Sequence, residues 1–382
     1  MKKILVVVPS FGCGGTNRSL QNLLNFLPKS KVEVDVFGMV NEGLFINSLI
    51  NCNILCENFH ISALSSHFSN VRGVKKIYSF ILKLIRKITK GNLDNYIYRR
   101  AGKKLITDKN YDSVIAYSEG IATQFVACIE HRNKIAWIHC DYANYFIINH
   151  SKDESNTYAL YKTIVCVSNY TASSFCSIYN KFSSKVISLY NVLDISMMKR
   201  LSAEPLYFKK KDTFNIVSVG RLDPVKRLSV IPIIAAQLKL MNCSFFWTII
   251  GPNGIGDELK TLEANIHKYC VEDCVNWIGE QANPYNYIAN ADLLVCLSIS
   301  EACPYVVNES IILSTPVVCT DFGSAQEFIQ NGYNGIIAKI ENFPREISSI
   351  ILKHNLYEEL KRGVIIFDYN NEKLIKTFLS LI

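Results

Sequence analysis

The chain has 382 residues, 49% of them apolar, and a formal charge of +8. That length suits two compact domains better than one, and no apolar run approaches the roughly 18 residues that cross a bilayer. Between Arg72 and Lys104 eleven Lys or Arg face one acid, Asp94, so the basicity belongs to a local surface and argues against a protein coated for nucleic acid.

In chain order, Met1-Lys2-Lys3 and the apolar run Ile4 to Val8 superficially resemble a signal peptide. The run is shorter than the roughly 7–15 residues of an h-region, so a buried first strand is the better reading. A glycine-rich turn, a helix near Asn17 to Leu27 and a strand near Val32 to Phe37 follow. Further strands are expected at Ser113 to Tyr117, Lys134 to Ile138, Thr163 to Ser168 and Val186 to Tyr190. From Asp194 to Asp212 the pattern fades, around Pro205 and Lys209-Lys210-Lys211, which predicts an interdomain linker over 196–212.

The second half alternates cleanly. Strands are predicted at Phe214 to Val219, Phe245 to Ile250, Val275 to Ile278, Leu293 to Leu297, Pro316 to Cys319 and Gly335 to Ala338. Helices fill the gaps at Val225 to Leu240, Asp257 to Tyr269, Pro284 to Ala289, Val306 to Leu313 and Ala325 to Gln330, and the tail from Asn355 is helical and amphipathic. Near-continuous apolar strands between helices mean parallel sheets covered on both faces. The expected fold is α/β, two Rossmann-like doubly wound domains facing a cleft: 1–195, then 213–362, with 363–382 as a final helix. Thirteen cysteines, odd in number and without Cys-x-x-Cys, indicate a reducing cytoplasm, no disulfides and no structural metal.

Five patterns carry candidate chemistry. Gly12-Cys13-Gly14-Gly15-Thr16 lies between a strand and a helix, where backbone amides reach an anion; alternatively it is only a tight turn. Asn17 occupies the third-glycine position of a dinucleotide fingerprint and Asp35 sits inside its strand, which argues against a nicotinamide enzyme. Val219-Gly220-Arg221-Leu222 with Lys226 offers a guanidinium and an ammonium to phosphate oxygens, unless Arg221 merely pairs with Asp223. In Trp137-Ile138-His139-Cys140-Asp141-Tyr142, His139 would hydrogen-bond a substrate and Asp141 accept a proton, the alternative being a structural histidine. Glu301 and Glu309 flank a Pro-containing loop between two apolar strands, at the carboxyl edge of a sheet where open α/β folds place ligands, the alternative being a cap and a surface residue.

The fifth is the basic segment. On a helix from Val74 to Lys90, Val74, Ile77, Tyr78, Ile81, Leu84, Ile85 and Ile88 share one face, with Phe80 and Leu82 at its flanks. Lys75, Lys76, Lys83, Arg86, Lys87 and Lys90 fall opposite. This is the profile of an interfacial helix drawn to anionic lipid, or of a packed helix with a solvated basic face.

Together these motifs resemble the retaining GT-B glycosyltransferases of family 4, typified by bacterial surface-polysaccharide enzymes. The matching features run from Gly14-Gly15 through Val167-Ser168, Tyr190 to Asp194, Gly220-Arg221-Leu222 with Lys226, Trp277-Ile278-Gly279 and Glu301 to Glu309. They end with Pro316 to Asp321, Glu327 and Asn334-Gly335. The resemblance implies a donor nucleotide sugar on the C-terminal domain, an acceptor on the N-terminal one, and a C-terminal helix, Asn371 to Ile382, that crosses back to the first domain. Arg221 and Lys226 then look like diphosphate ligands, Glu309 the ribose ligand, and Glu301 the contact to the donor sugar. The amides near Cys303, Tyr305 and Val306 would touch sugar and phosphate, and the loop at Gly279 the base. Gly14 and Gly15 would approach the distal phosphate, His139 the donor sugar, and Thr16, Asn17 and Asp141 the acceptor side.

Arg227 stands where a glycine commonly follows the lysine, Ala302 replaces a glycine and Cys303 an aromatic, which bears on sugar identity. The implied activity is metal-independent transfer of a hexose or N-acetylhexosamine from a UDP-sugar to a lipid-linked glycan, in capsule or O-antigen assembly, on the inner face of the plasma membrane. The alternatives are a non-catalytic membrane-bound sugar-nucleotide-binding partner protein, a GT-B epimerase, or a transferase to a soluble acceptor.

Overall fold

The computed structural model describes residues 1–12, 14–65, 73–89, 92–206, 213–254, 256–365 and 369–382. Cys13, Lys90 and the Lys209–Lys211 run lie outside them. The chain divides into two units, Met1–Leu193 with Asn370–Ile382, and Asp194–Tyr369.

The first unit holds seven strands: β1 (Lys2–Ser10), β2 (Val32–Val40), β3 (Asn53–Ile54), β4 (Ser113–Ala116), β5 (Lys134–Ile138), β6 (Thr163–Cys166) and β7 (Val186–Ser188). They form one parallel sheet in the order β3-β2-β1-β4-β5-β6-β7. β4 to β6 are almost wholly buried, and β1 is buried from Ile4 to Val8, as expected where helices cover both faces. Asp35, inside β2 and 2% exposed, accepts hydrogen bonds from Tyr111 Oη at 2.5 Å, Lys109 Nζ at 3.0 Å and Asn53 Nδ2 at 3.1 Å. It is a structural tie between β2 and its neighbours. The last helix, Asn371–Leu381, belongs to this unit. Asn371 exchanges two hydrogen bonds with the Leu193 backbone, and Phe378, 1% exposed, packs on Trp137 with ring centroids 6.0 Å apart.

The second unit has six strands: β8 (Phe214–Val219), β9 (Phe245–Ile250), β10 (Val275–Trp277), β11 (Leu293–Cys296), β12 (Val317–Thr320) and β13 (Gly335–Ala338). Their order is β10-β9-β8-β11-β12-β13, again all parallel. Strand order reverses between β1 and β4 in one sheet and between β8 and β11 in the other. Such switch points open a crevice at the carboxyl ends of their strands, and the loops after these four strands carry most of the candidate residues.

Two expectations need correction. The segment predicted as linker begins with a helix, Ile195–Ser202, capped by Asp194, whose carboxylate accepts from Met197 N at 2.9 Å. Asn283 Nδ2 binds its Leu201 carbonyl, so the helix belongs to the second unit; two turns are too short to show a clear period. The helix predicted from Val225 starts only at Ile231, after a 3-10 turn at Leu228–Val230, with Pro232 in its first turn. Proline is favoured there because its fixed φ suits a helix start and no amide is lost. Lys226 and Arg227 therefore lie in a loop.

Candidate active site

In the second unit β8 ends at Val219 and the strand ladder continues into the loops. Gly220 N donates to the Ile250 carbonyl and Gly251 N to the Gly279 carbonyl, each at 2.9 Å. Gly251 has φ +146°, and a Cβ there would lie 1.9 Å from the Gly220 oxygen, so only glycine lets these loops approach. Asp223, 6% exposed, shapes the next turn: Oδ1 accepts from Val225 N and Lys226 N at 3.1 and 3.2 Å. Its Oδ2 accepts from Arg221 Nε at 2.9 Å. The pairing foreseen for Arg221 is real and uses one edge of the guanidinium. The terminal nitrogens make no hydrogen bond among the described residues, and the side chain is half-exposed.

Lys226 Nζ forms an ion pair with Glu301 Oε1, and Ser298 Oγ donates to that same oxygen at 2.7 Å. Burial pushes the Lys226 ammonium pKa down, but the adjacent Glu301 carboxylate more than offsets this, and the pKa is held above its ordinary value. The lysine is a cation at neutral pH. Asp223, foreseen only as a partner of Arg221, thus ties that residue to the Lys226 backbone, and Ser298, which carried no signal in the sequence, braces Glu301.

Glu309 lies on the helix Tyr305–Ile312. It is 4% exposed and accepts from Tyr285 Oη at 3.3 Å. Pro304 caps this helix and its carbonyl accepts from Asn308 N. The amides of Tyr305, Val306 and Val307 precede any intrahelical partner and add the positive end of the helix dipole. Cys303 sits half-buried just before them, and Gly279, at φ +73°, borders open space.

In the first unit Gly14 precedes the helix Gly15–Phe26. Its backbone is extended, φ 162°, and a Cβ would meet nothing within 4 Å. Neither conformation nor crowding demands glycine at 14. Thr16 occupies the helix's first turn, and Asn17 Nδ2 staples it to the Gly12 carbonyl at 2.6 Å. Ser19 bonds Tyr117 Oη and Asn191 Oδ1, at 2.8 and 2.7 Å, and Asn22 reaches the Val192 carbonyl. The Tyr190–Asp194 motif therefore includes a tie to this helix.

His139, after β5, donates its backbone N–H to Glu119 Oε2 at 2.9 Å. Glu119 follows β4 and escaped the sequence reading; burial raises its carboxyl pKa. The His139 ring stacks near Trp137, centroids 6.2 Å apart, and Tyr117, 5.0 Å. Burial lowers its pKa to about 3, and Nε2 is buried without a hydrogen-bond partner among the described residues. It is a neutral imidazole with one nitrogen unspent. Asp141, expected to accept a proton, instead caps the helix Tyr142–Ile148. Ser174 Oγ at 2.5 Å, Tyr170 Oη at 2.7 Å and Asn144 Nδ2 at 2.7 Å occupy its carboxylate.

The basic helix runs Gly73–Ile88. Its buried residues are Ser79 and Leu82, and ion pairs anchor it: Lys75 Nζ to Glu57 at 3.2 Å and Arg86 Nε to Asp94 at 2.8 Å. The apolar face points to solvent, with Val74 80%, Ile77 65%, Leu84 52% and Ile88 75% exposed. Leu82, placed at the apolar flank in the sequence reading, lies on the opposite, packed side with Lys75 and Arg86, while Lys76 and Lys87 are exposed and Lys83 half-buried. Among the described residues no helix is long and apolar enough to cross a membrane, and no group of three or more His, Cys, Asp or Glu is placed to hold a metal.

Residues 203–371, which span most of the second unit, match the family model for glycosyl transferases group 1. Over 155 residues the chain is 32% identical to the N-acetylgalactosamine-N,N'-diacetylbacillosaminyl-diphospho-undecaprenol 4-alpha-N-acetylgalactosaminyltransferase of Campylobacter jejuni, covering 40% of each chain. It spans about two-fifths of the length of the curated relatives it matches. Among solved structures it is similar to Anabaena Alr3699/HepE in complex with UDP and glucose, TM-score 0.71 at 16% identity, covering 100% of this chain and 99% of that one. A glycosyltransferase from Rickettsia africae gives TM-score 0.73 at 16% identity, with 100% and 97% covered. The fold is that of GT-B glycosyltransferases, two Rossmann-like parallel-sheet units.

Proposed function

We propose that the protein is a retaining glycosyltransferase that moves a hexose or N-acetylhexosamine from a UDP-sugar to a lipid-linked oligosaccharide in surface-polysaccharide assembly of the capsule or O-antigen type. The observation that carries this reading is the Arg221–Asp223–Lys226–Glu301 network at the β8/β11 switch point. Cleaving a glycosyl–phosphate bond builds negative charge on the departing diphosphate. Two cations and a helix N-terminus beside the leaving group stabilise that charge, so no metal is required. Lys226 exchanges Glu301 for the phosphate, and the freed carboxylate then binds the sugar's hydroxyls. Glu309 binds the ribose, and Cys303, Tyr305, Val306 and Gly279 border the donor. His139, being neutral, serves as a hydrogen-bonding group to sugar, with Gly14 and Gly15 approached by phosphate. Asp141 is left as a cap.

The solvent-facing apolar side of Gly73–Ile88 supports docking on an anionic bilayer, which would place the enzyme on the inner membrane face beside lipid-linked acceptors. The Campylobacter relative's polyprenyl-diphosphate substrate supports that acceptor class. The test is to incubate a panel of UDP-sugars, with and without EDTA, with polyprenyl-linked glycans and determine the new linkage by NMR. Retention without metal is expected, and inversion or no transfer from any donor would refute the reading.

A further inference from the structure

Arg227 follows Lys226 and holds a left-handed backbone, φ +52°. For a residue with a Cβ that conformation is unfavourable, so its surroundings must hold it there. Its own side chain does so by crossing to the other switch-point loop. Nε donates to the Leu297 carbonyl at 2.8 Å and Nη2 to the Ser298 carbonyl at 3.4 Å. These are the residues that lead from β11 towards Glu301.

Ser298 is 2% exposed and is gripped from several sides. Its carbonyl also accepts from Thr320 Oγ1 at 2.5 Å, and its hydroxyl donates to Glu301 Oε1 at 2.7 Å. Ile299 N adds a backbone tie to the Val225 carbonyl at 2.8 Å. The β8 loop therefore holds the β11 loop three times, by the Val225 carbonyl on Ile299 N, by Lys226 on the Glu301 carboxylate and by Arg227 on the backbone behind it. A planar guanidinium bridges the two successive carbonyls from one rigid fork; an ammonium is a point donor without that fork, and glycine offers no side-chain donor at all.

We propose that Arg227 is a positioning residue: it clamps the Leu297 and Ser298 carbonyls so that the Ser298 hydroxyl fixes the Glu301 carboxylate for the donor sugar. Discrimination between sugars then depends on a side chain that never touches the sugar. This rests on the reading of Glu301 as the donor-sugar contact, and the experiment separates the two. Glycine at 227 relieves the backbone strain while deleting the clamp, so stability and selectivity come apart.

The experiment compares wild type, Arg227→Gly, Arg227→Lys and Glu301→Gln for melting temperature, UDP affinity and kcat/KM across epimeric UDP-hexoses. Arg227→Gly is expected to melt within a few degrees of wild type and to bind UDP, which lacks the sugar, equally well. It should lose about tenfold in kcat/KM for the best donor and prefer it less over its epimers. Arg227→Lys, keeping the charge but not the planar fork, should fall between, and it decides the matter by the same readout if the glycine variant folds poorly. Unchanged donor preference in both Arg227 variants while Glu301→Gln is impaired overturns the clamp and leaves the Glu301 reading standing. UDP affinity falling in step with kcat/KM overturns it too. Intact preference in Glu301→Gln removes the reading on which it rests.

Discussion

Replacing Lys226 by Met keeps the aliphatic stem and removes the charge that pairs with Glu301. The two side chains are 28% and 13% exposed, between a surface pair, worth about 0–1 kcal/mol, and a buried pair that costs about 3–5 kcal/mol to break. Ser298 still donates to the orphaned carboxylate, so the stability loss should be about 1–2 kcal/mol, a shift of a few degrees in Tm for a unit of this size. The catalytic loss is larger. A cation opposite the developing diphosphate charge is expected to contribute about 10²–10³ in kcat. The assay is UDP release under saturating donor, with UDP titrated calorimetrically. If kcat falls less than about tenfold while Tm drops as calculated, the pair is structural and the phosphate assignment is wrong. Because the folded pKa of Lys226 is raised, the stability it contributes is complete below its unfolded pKa and is lost only as alkaline pH passes the folded one; a wild-type loss of this contribution near pH 7 would contradict the sign.

His139 works in the opposite sense. Folded, its pKa is about 3 against an ordinary 6.5, so the unfolded chain takes a proton first. Stability is full above about pH 6.5 and falls as pH drops towards 3, by up to about 2 kcal/mol at pH 5; His139→Gln should flatten that slope in acid melts. On the basic helix, Ile81 and Leu84 are 45% and 52% exposed, so Ile81→Glu and Leu84→Glu should leave Tm nearly unchanged and abolish sedimentation with anionic vesicles, whereas wild-type binding weakens with salt. Leu82→Ala on the packed side, 5% exposed, should cost about 2–3 kcal/mol. Phe378→Ala should cost about 3–5 kcal/mol in the first unit's melt, since that ring is 1% exposed against Trp137.

Alternating apolar strands such as Phe214 to Val219 and Leu293 to Leu297 were legible because parallel strands buried on both faces read as continuous runs. The helices of the first unit between Phe59 and Ile106 were less so, since exposed apolar residues such as Ile77 and Leu84 break the rule that apolar means inside. Arg221, Lys226 and Glu301 stood out by type and position. Asp223 and Ser298, which join them, are ordinary turn and strand-end residues whose meaning comes from the fold. Asp141 misled for a related reason: a carboxylate beside a histidine and before a helix is equally a catalyst or a cap, and the Asn144 amide makes it a cap while three side-chain donors occupy it. Arg227 could be noticed as a departure from glycine, yet only its left-handed backbone and its reach to Leu297 give that departure a purpose.

The central claim is that the loops after β8 and β11 form a diphosphate-sugar site. A crystal structure with a UDP-sugar bound tests it most directly. The account predicts diphosphate oxygens within hydrogen-bonding distance of Arg221 and Lys226, with Glu301 released onto the sugar. A nucleotide bound elsewhere, with the Lys226–Glu301 pair undisturbed, would contradict it.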